Sequence, residues 1–73
     1  MLLSIVVPVY NEEENIANFY KAVTDVMSGL TYDYELIFVD DGSSDSSAMI
    51  LREIAYNDKH VKVLLLARNF GHQ

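Results

Sequence analysis

Residues 34–47 read YELIFVDDGSSDSS. The first half is apolar, with branched and aromatic side chains. The second half is acid, glycine and serine. Such a switch marks a buried strand that runs into a tight turn and then a helix. The strand is expected over Tyr34–Asp40. Asp-Gly is turn chemistry, and Ser43 or Ser44 can cap the helix, with Asp45 in its first turn. Ser47, Ile50, Leu51, Ile54 and Ala55 then fall on one helical stripe.

The same pattern lies on either side. Leu2–Val9 is nearly all apolar, as expected for a strand covered on both faces, and Pro8 cannot donate to a ladder, so the strand should stop there. Asn11 suits a helix N-cap, with Glu14 placed as in a capping box and Glu12 and Glu13 at the positive end of the helix dipole. Ile16, Phe19, Tyr20, Val23, Val26 and Met27 keep helical spacing, and Gly29 can end that helix. After the polar turn YNDKH, a third strand is expected over Val61–Ala67, inside the sheet because VLLLA is too apolar for an edge. The order is β-α-β-α-β. Right-handed crossovers make the three strands parallel, as in half of a doubly wound Rossmann-like sheet. Such sheets bind ligands at the carboxyl ends of their strands. Tyr10 to Glu12, Asp40 to Ser44 and Arg68 to His72 all collect there.

Composition narrows the function. The 73 residues are 51% hydrophobic and 22% charged, which argues against a disordered chain. A chain this short buries only ~60% of its unfolded surface, so its core is expected to pack against more protein. The net charge of −6 repels a phosphate backbone and argues against nucleic-acid binding. There is no cysteine, in keeping with a reducing, cytoplasmic setting. No apolar run approaches the ~20 residues of a membrane span, and MLLSIVVPVY lacks the basic start of a signal peptide.

The acids admit several readings. For Asp41 and Asp45, turn and cap chemistry is as good a reading as a site. Asp40 ends an apolar strand, so its carboxylate is expected to be partly desolvated and aimed at the crevice. An ionised carboxylate only accepts hydrogen bonds. It could therefore take the ring N–H of uracil or guanine and reject cytosine or adenine. A Mg²⁺ site is the other reading, though neighbours on an extended backbone point to opposite faces. Tyr10 could stack on a base or simply pack. Arg68 could pair with a phosphate or with one of the eleven acids. Neither G-x-G-x-x-G nor G-x-x-x-x-G-K-[ST] occurs, which disfavours a dinucleotide Rossmann site and excludes a P-loop.

SIVVPVYNEEENI, ELIFVDDGSSDSS and LLLARNFGHQ together resemble family 2 glycosyltransferases of the GT-A fold, closest to the polyprenyl-phosphate branch. The resemblance covers the whole chain. It implies transfer of a sugar from a UDP- or GDP-sugar to a polyprenyl phosphate. Pro8, Tyr10, Asn11 and Glu12 would line the nucleotide pocket. Asp40 would read the base, with Asp41 and Arg68 toward ribose and diphosphate. Mg²⁺ or Mn²⁺ would bridge the diphosphate. The resemblance also places the metal-binding Asp-x-Asp beyond Gln73. Residues 1–73 are accordingly expected to be the nucleotide-binding half of a truncated domain, inactive alone. Exposed sheet should favour homo-oligomers, and a full-length relative should sit at the cytoplasmic face of a membrane. A response-regulator receiver and a subunit that only assembles are the alternatives. In a receiver, however, the acid pair follows the first strand, and here that strand ends in Val9-Tyr10.

Overall fold

The computed structural model describes residues 2–30 and 33–66. Its elements are β1 (Leu2–Val9), α1 (Ile16–Met27), β2 (Asp33–Asp40), α2 (Ser47–Asn57) and β3 (Val61–Leu65). The strands are parallel, in the order β1-β2-β3. Each right-handed crossover steps one strand in the same direction, so both helices lie on one face. The described residues thus supply two layers, sheet and helices.

Among the described residues β3 pairs with β2 alone, at the edge of this part of the sheet. Its apolar residues are divided between faces: Val61 and Val63 pack in the core beneath the helices, while Leu64 is 53% exposed on the other side. The covered face carries Leu36, Phe38 and Leu51 at its centre, all fully or almost fully buried. Phe19 meets Phe38 edge to face, with ring centroids 6.3 Å apart. Among the described residues no helix covers the opposite face. Val6 stands 61% exposed there, and a polar row crosses it where Ser4 Oγ donates to Glu35 Oε2 at 2.6 Å.

Two helix starts differ from expectation. Asn11 does not cap α1; its backbone is left-handed, at φ 51°, and α1 begins at Ile16 after Asn15. The Glu12 carbonyl receives the Asn15 and Ile16 amides instead, at 2.9 and 3.2 Å. Likewise the N-cap of α2 is Ser46, not Ser43 or Ser44. In both cases the turn has drawn the expected cap into contacts with the other loop. The α2 stripe is as expected: Ser47 and Leu51 are buried, and Ile50, Ile54 and Ala55 pack against the core.

At the far end of the sheet Tyr20 on α1 donates to Asp58 Oδ2 at 2.5 Å. Asp58 Oδ1 takes the His60 amide at 2.9 Å, and the His60 ring stacks on Tyr34 at 4.5 Å. Burial pushes the Asp58 carboxyl up, but the Tyr20 hydroxyl and the His60 contacts outweigh it and hold it low. The bond to Asp58, then burial, pushes Tyr20 up to about 12 from an ordinary 10.0. A raised tyrosine stabilises the fold fully below its unfolded pKa, and that contribution is lost as pH climbs through the folded value. Stability should therefore fall between pH 10 and about 12. Tyr20→Phe should cost roughly 1–2 kcal/mol at neutral pH. It should also flatten the alkaline loss, leaving the part due to Tyr34, which burial also raises. Urea melts at pH 8 to 12 check both; equal alkaline loss in the variant contradicts the assignment.

Candidate functional site

The carboxyl ends of β1 and β2 are built alike. Val9 pairs with Asp40, and the Asp41 amide donates to the Val9 carbonyl at 2.9 Å. Two residues beyond each strand end the backbone turns left-handed, at Asn11 (φ 51°) and Gly42 (φ 75°). Glycine reaches that region without a Cβ clash, and asparagine tolerates it better than most residues. The chain thereby turns out of the sheet at the same height twice, and the two loops meet.

Pro8 and Glu12 line a cleft of about 150 Å³ between β1 and α1, with Ile16, Phe19 and Phe38 among its walls. The Glu12 carboxylate accepts from Asn15 Nδ2 at 3.1 Å. Tyr10, the residue after β1, is 49% exposed. Arg68, Gly71 and His72 lie outside the described residues.

Asp40 and Asp41 part company. Asp40 follows Leu36 and Phe38 on the covered side of β2, because alternate strand residues share a face. It is 2% exposed. Its Oδ1 accepts the Ser43 amide at 2.7 Å, and Oδ2 is enclosed with no hydrogen-bond partner among the described residues. Asp40 is thus more fully buried than the partly desolvated carboxylate expected, its parity placing it on the covered side of the sheet. Asp41, one residue on, is partly buried at the mouth.

The loops are hydrogen-bonded in both directions. Side chains of the second loop accept the amides of the first: Ser43 Oγ takes Asn11 and Ser47 Oγ takes Glu12, each at 2.9 Å, and Asp45 Oδ2 takes Glu13 at 3.2 Å. In return Asn11 Oδ1 accepts the Ser44 and Asp45 amides at 2.8 and 3.3 Å, and Glu13 Oε1 accepts Ser46 at 2.8 Å. The Ser47 amide goes to Asp45 Oδ1 at 2.9 Å. Burial pushes the Asp45 carboxyl up, but the Ser47 hydroxyl and the Ser47 and Glu13 amides outweigh it, leaving it below the usual range. Every amide from Ser43 to Ser47 therefore already donates to a protein oxygen. The start of α2 is no phosphate cradle, in agreement with the missing P-loop. Nor do the described residues hold a group of three or more His, Cys, Asp or Glu side chains placed for a metal ion. No described helix is long and apolar enough to cross a membrane.

Residues 4–73 match glycosyl transferase family 2. The chain belongs to that family. Similar curated proteins include an uncharacterized glycosyltransferase, YkcC, of Bacillus subtilis, 53% identical over 96% of this chain and 22% of its own length. An undecaprenyl-phosphate 4-deoxy-4-formamido-L-arabinose transferase of Proteus mirabilis is 47% identical over 94% of this chain and 22% of its own. A prophage bactoprenol glucosyl transferase homolog of Escherichia coli is 42% identical over 100% of this chain and 24% of its own. The chain thus spans about a quarter or less of these relatives. As a family 2 glycosyltransferase sequence, the parallel sheet with its two helices is consistent with the N-terminal half of a GT-A Rossmann-like domain. Membership displaces the receiver reading. Sequence reasoning found the loops that form the mouth but missed their mutual bonding. The signal was present: Asn11, Ser43, Ser44, Asp45, Ser46 and Ser47 are more capping side chains than one helix start can use.

Proposed function

We propose that this mouth is the nucleotide end of a donor site, and that the whole protein moves a sugar from a UDP- or GDP-sugar to a polyprenyl phosphate. The observation that carries the reading is the convergence of the two family-like loops, 10–15 and 41–46, on one rim at the strand ends. The printed names of the Proteus and Escherichia relatives, undecaprenyl-phosphate and bactoprenol transferases, supply the acceptor class.

Tyr10 offers a ring face to the base. Asp41, partly exposed, takes over the base-reading role from buried Asp40 and accepts the ring N–H of uracil or guanine. Pro8 and Glu12 wall the pocket. The resemblance gives Arg68 to the diphosphate, outside the described residues. A lipid phosphate is already ionised at neutral pH and needs no general base, so this chain's residues act by holding the donor in position. The proposal includes Mg²⁺ or Mn²⁺ at the diphosphate. The described residues do not fit the ion by themselves: Asp45 and Glu13 are engaged across the loops and Asp40 is buried, so its ligands belong elsewhere. The bare sheet face offers a surface to further protein, a second copy included.

Calorimetry of the chain with UDP, GDP and CDP in Mn²⁺ tests the reading. UDP or GDP should bind at least about tenfold more tightly than CDP, a difference of ~1.4 kcal/mol. Equal binding of CDP overturns base reading by a carboxylate. The 73-residue polypeptide alone should bind without turnover. Measurable sugar transfer by it contradicts the view that it is one half of a site.

A further inference from the structure

We infer that Asn11 is not a ligand contact but a positioning residue, a clasp that fixes Tyr10 and Glu12 against Asp41. For its effect on affinity this rests on the nucleotide reading above; the clasp itself does not. The side-chain oxygen of Asn11 is taken up by the Ser44 and Asp45 amides, and the Ser44 hydroxyl lies 3.4 Å from it. It therefore ties down, from 33 positions away in the chain, the loop that leads into α2. Its own amide is held by Ser43 Oγ, so the exchange is reciprocal. Its backbone is left-handed while it makes both bonds.

The bonds of Asn11 are continued deeper by Ser47. That hydroxyl is fully buried at the first residue of α2 and holds the Glu12 amide. Glu12 is a wall of the cleft, and Tyr10 is bonded in sequence to Asn11. Rotation of either loop must break both sets of bonds. The relative placement of the first loop's pocket residues and Asp41 is thus set by protein–protein hydrogen bonds before any ligand arrives. Preorganisation of this kind raises affinity by lowering the ordering cost of binding.

Two substitutions separate backbone from side chain. Asn11→Gly keeps the left-handed conformation and removes the acceptor. Asn11→Asp keeps an acceptor oxygen. Amide hydrogen exchange reads the clasp directly. In Asn11→Gly, Ser44 and Asp45 should exchange at least about tenfold faster, and the affinity for UDP or GDP should fall about tenfold, the size of one lost hydrogen bond. Asn11→Asp should restore both. Unchanged exchange in Asn11→Gly overturns the clasp. Lost affinity with unchanged exchange makes Asn11 a ligand contact instead. Should the wild type bind no nucleotide, the donor-site reading fails while the exchange data still decide the clasp. Should Asn11→Gly fail to fold by circular dichroism, Ser43→Ala serves: it removes only the acceptor of the Asn11 amide, whose exchange must then quicken.

Discussion

Phe38→Ala should leave the chain unfolded or nearly so at 37 °C. Phe38 is 1% exposed at the middle of the central strand, between Val7 and Val63 and against Phe19. Emptying such a site costs about 3–5 kcal/mol. At 0.05–0.15 kcal/mol per residue, a chain of this length has roughly 4–11 kcal/mol in all. With one sheet face bare it belongs at the low end. The melting temperature should fall by more than about 12 °C, since each kcal/mol is worth ~4–8 °C in a small domain. Leu64→Ala, on the bare face, should change stability by less than about 0.5 kcal/mol. A fall of only a few degrees in Phe38→Ala would mean that the core does not lie under the helices.

The second large effect separates the adjacent acids. Asp40→Ala orphans the Ser43 amide and loosens the turn at Gly42, which should cost about 1–3 kcal/mol. Loss of the unpartnered Oδ2 offsets part of that cost. Asp40→Asn keeps an acceptor for Ser43 and should stay closer to wild type. Asp41→Ala should leave the melting temperature within about 4 °C, under 1 kcal/mol. It should weaken UDP or GDP at least about tenfold. Thermal melts and calorimetry on the three variants are sufficient. If Asp40→Ala loses nucleotide at an unchanged melting temperature, base reading returns to Asp40.

The difference between these two residues also marks where the sequence was legible. Helix and strand order followed from the oily runs and the helical stripes, because those patterns depend on neighbours in the chain. The alternation that hides Asp40 was masked. Ile37 and Val39 on the bare face are as apolar as Leu36 and Phe38 on the covered one, so hydrophobicity could not tell the faces apart. Asn11 and Ser43 were assigned to their own helices because capping rules are local. Their real partners lie 32 and 33 positions away, and only the folded register brings them together. Tyr10 and Glu12 were located correctly at the strand mouth, since a strand end is a local event.

The parallel pairing of β1 with β2 has a kinetic consequence. Each residue of β1 meets a partner 31 positions later, as Ser4 meets Glu35. No hairpin shortens that distance, and parallel, non-local pairing is slow to nucleate. On a ribosome adding ~5–20 residues per second, β1 waits roughly 2–6 s for β2 to be synthesised. The most apolar strand of the chain is therefore the one that spends longest unpaired. In the cell, the first companion of Leu2–Val9 should be a chaperone rather than a strand.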